Sequence, residues 1–143
     1  MYRAISESFM SKTGKAFKIL IVDDDKAFLR VVTELLSSLH HHIIIETARS
    51  GKECLREVKS FSPNLVFLDI GMDGMNGLVT LRFIKSIDAC ALVYLLSGRS
   101  EEYLKEAVKM VPADGYYTKP QFIELLSSTH TLPMIHNSED AAT

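Results

Sequence analysis

Three consecutive aspartates, Asp23-Asp24-Asp25, close the apolar run Ile19-Leu20-Ile21-Val22. A second run, Leu65–Leu68, ends in Asp69. A third, Ala91–Leu96, ends in Ser97-Gly98, and Tyr116–Thr118 ends in Lys119-Pro120. Short apolar runs of this kind read as buried strands. Carboxylates at a strand tip repel: at roughly 4 Å apart the cost is about 4 kcal/mol at an effective dielectric of 20. A bound cation, a nearby lysine or arginine, or a shared proton must offset it. Asp23, Asp24 and Asp69 supply the oxygen ligands that hard divalent cations such as magnesium take. No cysteine or histidine belongs to the set, which argues against zinc. A carboxylate is also a nucleophile that forms an aspartyl phosphate. A phosphoryl group in transfer needs its equatorial oxygens neutralised by a metal, a lysine and a hydroxyl at fixed positions. Asp69, alone at its strand end, is the expected acceptor. Lys119 offers the charge and Ser97 the hydroxyl.

These residues converge only if the right elements carry them. Lys18–Val22 reads as strand one. From about Ala27 to His40, Phe28, Val31, Val32, Leu35, Leu36 and Leu39 recur at spacings of three and four, which predicts an amphipathic helix with these residues inward. Ile43–Glu46 is a short β-branched strand. Gly51 to about Ser60 is a helix with Cys54, Leu55 and Val58 inward. Ser62-Pro63-Asn64 is a turn, and Leu65–Leu68 is strand three. The glycine-rich loop Gly71–Gly77 leads to a helix from about Leu78 to Ile87. Ala91–Leu96 is strand four. A helix from about Ser100 to Met110 puts Tyr103, Leu104, Ala107 and Val108 on one side. Tyr116–Thr118 is strand five, and a last short helix covers roughly Gln121 to Ser128.

Strand and helix alternate five times. That predicts an α/β fold, a doubly wound five-stranded parallel sheet with helices on both faces. Right-handed crossovers put every strand's carboxyl end on one edge, where ligands of such sheets bind. Asp23-Asp24-Asp25, Asp69, Ser97 and Lys119 all fall on that edge.

The chain has 143 residues and a formal net charge of -2. One domain is expected. No basic patch stands out, which argues against direct nucleic-acid binding. The two cysteines, Cys54 and Cys90, have no metal spacing and read as buried apolar residues of a reducing compartment. No apolar stretch reaches the roughly 20 residues that cross a bilayer, and no signal-peptide core opens the chain. A cytoplasmic protein without membrane insertion is expected. Residues 1–16 read as a flexible extension, 17–130 as the domain and 131–143 as a flexible tail. His40-His41-His42 are consecutive and do not share a helix face, so they argue against a metal site.

The motifs ILIVDDD (19–25), PNLVFLDIGMDGMNG (63–77), LLSG (95–98) and ADGYYTKP (113–120) resemble the receiver domain of two-component response regulators. The resemblance covers about residues 17–128, with four motifs in the right order. It implies the flavodoxin-like strand order 2-1-3-4-5, for which a chemotaxis receiver is a standing example. It implies that Asp69 takes phosphate from a sensor histidine kinase or phosphotransfer protein. It also implies that Mg2+ is held by Asp23, Asp24, Asp69 and the Gly71 backbone carbonyl. Ser97 and Lys119 then bind the phosphoryl group, and the Lys119–Pro120 bond is expected to be cis. Tyr116 turns inward when Ser97 engages phosphate, which switches the surface of helix four, strand five and helix five. Gly71 and Arg99 match the positions that set phosphoryl lifetime. No output domain is evident, so a stand-alone receiver acting on a downstream protein target is implied, promoting only its own phosphotransfer and dephosphorylation.

The sequence departs from the family pattern at Asp73, where proline is usual, at Asn76, where aspartate is common, and in its short last helix. Rival readings stay open at this level. A haloacid-dehalogenase-like phosphatase would want a second acid two residues after its nucleophile; only Asp23 with Asp25 has one. A flavin-binding domain would have to place phosphate against three aspartates, which would repel it. A receiver that accepts no phosphate and works as a scaffold is the nearest alternative.

Overall fold

A computed structural model of the chain describes residues 12–39, 42–72 and 76–128, with no side chain described for residue 39. The expectations for residues 1–11, His40, His41, Asp73, Met75 and 131–143 lie outside the described residues. The elements run β1 (Phe17–Val22), α1 (Lys26–Leu39), β2 (Ile43–Ala48), α2 (Gly51–Phe61), β3 (Leu65–Asp69), α3 (Gly77–Ile87), β4 (Leu92–Ser97), α4 (Glu101–Val108), β5 (Gly115–Thr118) and α5 (Lys119–Ser128). The strands form one parallel sheet, as the alternation predicted, in the order β2-β1-β3-β4-β5, as the resemblance implied.

Both faces of the sheet are covered, so β1 after Lys18 and β3 before Asp69 are continuous apolar runs rather than alternating. Leu20, Val22, Val66, Leu68, Val93 and Leu95 form one core with residues of α2, α3 and α4, including Cys54, Leu81 and Leu104. Ile19, Ile21, Leu65, Phe67, Tyr94 and Leu96 form the other with Leu29, Val32 and Leu36 of α1 and Phe122 and Leu126 of α5. Burial pushes the Cys54 thiol up to about 12, which closes it to thiolate chemistry.

Side-chain caps fix where the helices begin. Asp25 Oδ1 accepts from the Ala27 and Phe28 amides, so the third aspartate starts α1. Ser50, Asn76 and Ser100 cap α2, α3 and α4 by accepting from the amides of Glu53, Val79 and Tyr103. Thr118 and Gln121 form a reciprocal capping box on α5: Thr118 Oγ1 accepts from the Gln121 amide at 3.2 Å, and Gln121 Oε1 from the Thr118 amide at 3.0 Å.

That box corrects two expectations. The last helix begins at Lys119, not Gln121. The Lys119–Pro120 bond is trans, since no cis peptide occurs among the described residues; Pro120 sits in the first helical turn, where its missing N–H breaks no hydrogen bond. On α1 the buried stripe is Leu29, Val32 and Leu36, whereas Val31, expected inward, is 44% exposed. Cys90, expected buried, is exposed, because it follows α3 in the turn before β4. Tyr103 is exposed too, while Leu104 and Ala107 carry the packing of α4.

Candidate functional site

The carboxyl ends of β1, β3, β4 and β5 meet at one edge, and backbone bonds hold them level. The Asp23 amide donates to the Ala48 carbonyl at 3.0 Å, and the Ile70 amide to the Leu96 carbonyl at 3.0 Å. Side-chain alternation then sorts the chemistry by face. Asp69 follows Leu65 and Phe67, and Asp23 follows Ile19 and Ile21, on the side covered by α1 and α5. Ser97 follows Val93 and Leu95 on the side covered by α2, α3 and α4.

Asp23, Asp24 and Asp69 each offer a carboxylate oxygen within 4.8 Å of the others. Asp23 and Asp69 are buried and Asp24 is exposed at the mouth. Lys119 reaches between the two buried acids: its Nζ is 2.6 Å from Asp23 Oδ2 and 3.5 Å from Asp69 Oδ2. The ammonium also lies 4.6 Å from the centre of the Phe28 ring, so α1 helps to position it. Asp23 Oδ1 accepts from the Asp25 amide at 2.9 Å, and Asp69 Oδ1 from the Gly71 amide at 3.0 Å. Asp23 Oδ2, though buried, accepts no hydrogen bond of ordinary geometry, and its contact with Lys119 is an ion pair.

A cleft of about 420 Å³ opens above these groups, lined by Asp24, Asp69, Gly71, Ser97, Arg99 and Lys119, with Tyr103 at its edge. The structure therefore brings together every expected site residue except Tyr116. Tyr116 is half-buried at the rim of the core beneath α4 and lines a separate groove with Glu101, Gln121 and Glu124. It is joined to the site through β4: Leu95 pairs with Tyr116, and Ser97 with Thr118. The contact that sequence reasoning missed is Arg99 on Tyr103, 4.6 Å from guanidinium carbon to ring centre. No helical spacing signals it, because Arg99 precedes the N-cap Ser100 and lies outside the helix.

The profile of the response regulator receiver domain matches residues 19–130. The chain belongs to that family. The receiver is 36% identical over 106 residues to the chemotaxis protein CheY of Halobacterium salinarum, covering 73% of this chain and 86% of that one. It is 32% identical over 108 residues to a protein-glutamate methylesterase/protein-glutamine glutaminase of Caldanaerobacter subterraneus subsp. tengcongensis. That match covers 74% of this chain but 29% of the enzyme, so the receiver spans under a third of such relatives. Among solved structures, a CheX–CheY–BeF3–Mg complex from Borrelia burgdorferi aligns at a TM-score of 0.68 and 31% identity, covering 77% of this chain and 83% of the matched one. Two-component signalling by a receiver replaces the phosphatase and flavin readings. Among the described residues no helix is long and apolar enough to cross a membrane.

The electrostatics of the receiver centre on Asp23. Burial raises its carboxyl from 3.8 to about 6, and the neighbouring Asp69 adds to the rise, against the lowering effect of Lys119 and the Asp25 amide. Burial works to lower the Lys119 ammonium, but Asp23 and Asp69 outweigh it and hold it above the ordinary lysine value. Asp23 and Asp69 thus share one ammonium. An all-oxygen donor set of three carboxylates within 4.8 Å of one another fits a hard divalent cation.

Proposed function

We propose that Asp69 of this receiver accepts a phosphoryl group from a phosphohistidine on a sensor kinase or phosphotransfer protein. The observation that carries this reading is the placement of Asp69. It sits at the tip of β3, with two carboxylates on one side and the Lys119 ammonium and Ser97 hydroxyl within the same cleft. An Asp69 oxygen bonds to phosphorus while the phosphorus–nitrogen bond breaks; the imidazole leaves with that electron pair and keeps a ring proton. Lys119, already 3.5 Å from Asp69, pairs with one phosphoryl oxygen. Ser97 Oγ accepts from the Arg99 amide at 3.0 Å and keeps its own hydrogen for another.

Asp23, Asp24, Asp69 and the Gly71 carbonyl would hold Mg2+, which supplies positive charge to the phosphoryl oxygens. Asp24, exposed at the mouth, is the ligand that solvent reaches first. Gly71 leaves the space beside Asp69 open, since a Cβ there would lie 3.5 Å from Asp69 Oδ1. Phosphorylation adds a charge of about -2. Ser97 moves toward it, and the Tyr116 ring turns inward, because both side chains stand on the α4 side of the sheet. The changed face of α4, β5 and α5 then meets a downstream protein. The receiver unit spans residues 17–130 and acts in the cytoplasm. Its chemistry is limited to its own phosphotransfer and dephosphorylation.

Labelling with a small-molecule phosphodonor and magnesium tests this. Wild type is expected to incorporate acid-stable but base-labile phosphate at one site, and Asp69→Asn none. Equal labelling of the two proteins would remove Asp69 from its role. No labelling of either would favour the scaffold reading.

A further inference from the structure

Arg99 lies at the mouth of the cleft, and what holds it there is an aromatic ring. Its backbone is tied to the site, because the Arg99 amide donates to Ser97 Oγ at 3.0 Å. Its guanidinium carbon stands 4.6 Å from the centre of the Tyr103 ring. Tyr103 is tied in turn, because its amide donates to Ser100 Oγ in the first turn of α4. Both side chains line the cleft that holds Asp69, Ser97 and Lys119. Among the described residues the guanidinium meets no carboxylate within ion-pair distance, although Asp24 and Asp69 border the same cleft. A cation lining the same cleft as these carboxylates would be drawn onto them unless something competed. The face of Tyr103 competes. Tyr103 is 39% exposed, so packing does not account for its placement.

We propose that Tyr103 is a positioning residue for Arg99: its ring holds the guanidinium across the cleft mouth, where it screens the phosphoryl group on Asp69 from water. The inference rests on the assignment of Asp69 as acceptor. The reaction screened against is hydrolysis. A water oxygen bonds to phosphorus, the bond from phosphorus to the Asp69 oxygen breaks, the carboxylate recovers that electron pair, and both of the water's protons leave with the released phosphate as dihydrogen phosphate. Held on the ring, Arg99 also stays off Asp24 and Asp69 before phosphorylation, so it does not compete with a cation for them.

The test follows the decay of phosphorylated full-length protein after the phosphodonor is removed, in magnesium. Arg99→Ala is expected to shorten the lifetime. Tyr103→Leu, which keeps bulk but not the ring, is expected to shorten it by roughly twofold to fivefold, the bias that an exposed cation–π contact gives a side chain. Tyr103→Phe, which keeps the ring and loses the hydroxyl, is expected to decay like wild type. The double variant Arg99→Ala with Tyr103→Leu is expected to decay no faster than Arg99→Ala alone. Independently, the Arg99 side-chain protons of the unphosphorylated protein are expected to show an upfield ring-current shift in wild type and Tyr103→Phe, lost in Tyr103→Leu. A wild-type lifetime in Tyr103→Leu, a shortened one in Tyr103→Phe, multiplicative effects in the double variant or an absent ring-current shift each overturns the proposal. Failure of the Asp69 assignment looks different: wild type takes no label, and the proposal falls with it.

Discussion

Burial weighs most on whichever carboxylate has least water, and at this site that is Asp23. Its value of about 6 lies above the 3.8 of an unfolded aspartate, so the native state binds more protons between those values. The contribution of Asp23 therefore favours the native state in full below 3.8 and is lost as pH rises through 6. The shift corresponds to about 3 kcal/mol at neutral pH, an upper figure. Asp23→Asn removes that burden but also loses the ion pair with Lys119. In chelator, the variant is expected to match wild type near pH 4 and to exceed it by about 1–3 kcal/mol at pH 7. Urea unfolding across that range measures it, and a pH-independent difference would contradict the account. Saturating magnesium is expected to reverse the order, because a ligand at 100 times its dissociation constant adds about 2.7 kcal/mol to the protein that binds it. At this scale the sequence was legible wherever a polar residue ended an apolar run, since a buried strand leaves nothing else to explain it. Asp23, Asp24, Asp69, Ser97 and Lys119 were read that way. The Arg99–Tyr103 contact was not, because two long side chains in solvent find each other through rotamers that spacing does not specify.

The helices hold the site by how closely they approach the strand tips, and the start of α3 lies tight against the end of β3. A Cβ on Gly77 would lie 2.5 Å from Ile70 Cα and 2.8 Å from the Asp69 carbonyl oxygen. These are backbone atoms and do not yield as a flexible side chain would. Gly77→Ala is expected to cost about 1–3 kcal/mol, the usual scale of overpacking. It is also expected to weaken magnesium binding, because the strain falls on Asp69 and the residue after it. Gly98, at the tip of β4, is the control. A Cβ there meets nothing within 4 Å, so Gly98→Ala is expected to leave urea stability within about 0.5 kcal/mol of wild type. Equal losses in the two variants would remove the close-approach argument. The alternation of runs and helices placed all ten elements to within two residues at each end, because each pattern has one period and clear punctuation. Phase was harder than period. In α1, Phe28, Leu29, Val31, Val32, Leu35 and Leu36 form one apolar face about 160° wide, with Leu29 and Val31 at its two edges. Only contact with Ile19, Ile21 and Phe67 selects Leu29 over Val31 as the buried member. Cys90 was misread for a related reason: composition ranks cysteine as a core residue, but its place in the turn before β4 exposes it.

Across the whole molecule the sheet is a partition with chemistry on both sides. Asp23, Asp69 and Lys119 belong to the face that α1 and α5 cover, and Ser97 and Tyr116 to the face of α2, α3 and α4. A phosphoryl group on Asp69 is met from one side by Lys119 and from the other by Ser97. Lys119 is already in place, bound to Asp23, so it neutralises charge with little movement. On the proposed reading Ser97 would move to bond, and the movement would pass along β4, whose Leu95 is paired with Tyr116. Signal and charge compensation would then leave by different faces. Beryllofluoride with magnesium stands in for the phosphoryl group and separates them. Amide resonances of α4 (Glu101–Val108) and β5 (Gly115–Thr118) are expected to shift. Those of β2, at the far edge of the sheet, are expected to shift far less. Ser97→Ala keeps Lys119 and the acids, so it is expected to retain perturbation around Asp69 while losing most of the α4 and β5 response. Lys119→Met is expected to weaken beryllofluoride binding itself, because three carboxylates then face the anion without their ammonium. If α4 and β5 responded as fully in Ser97→Ala as in wild type, the signal would have to leave by the α1 and α5 face, and Tyr116 would be an ordinary half-buried residue of the core.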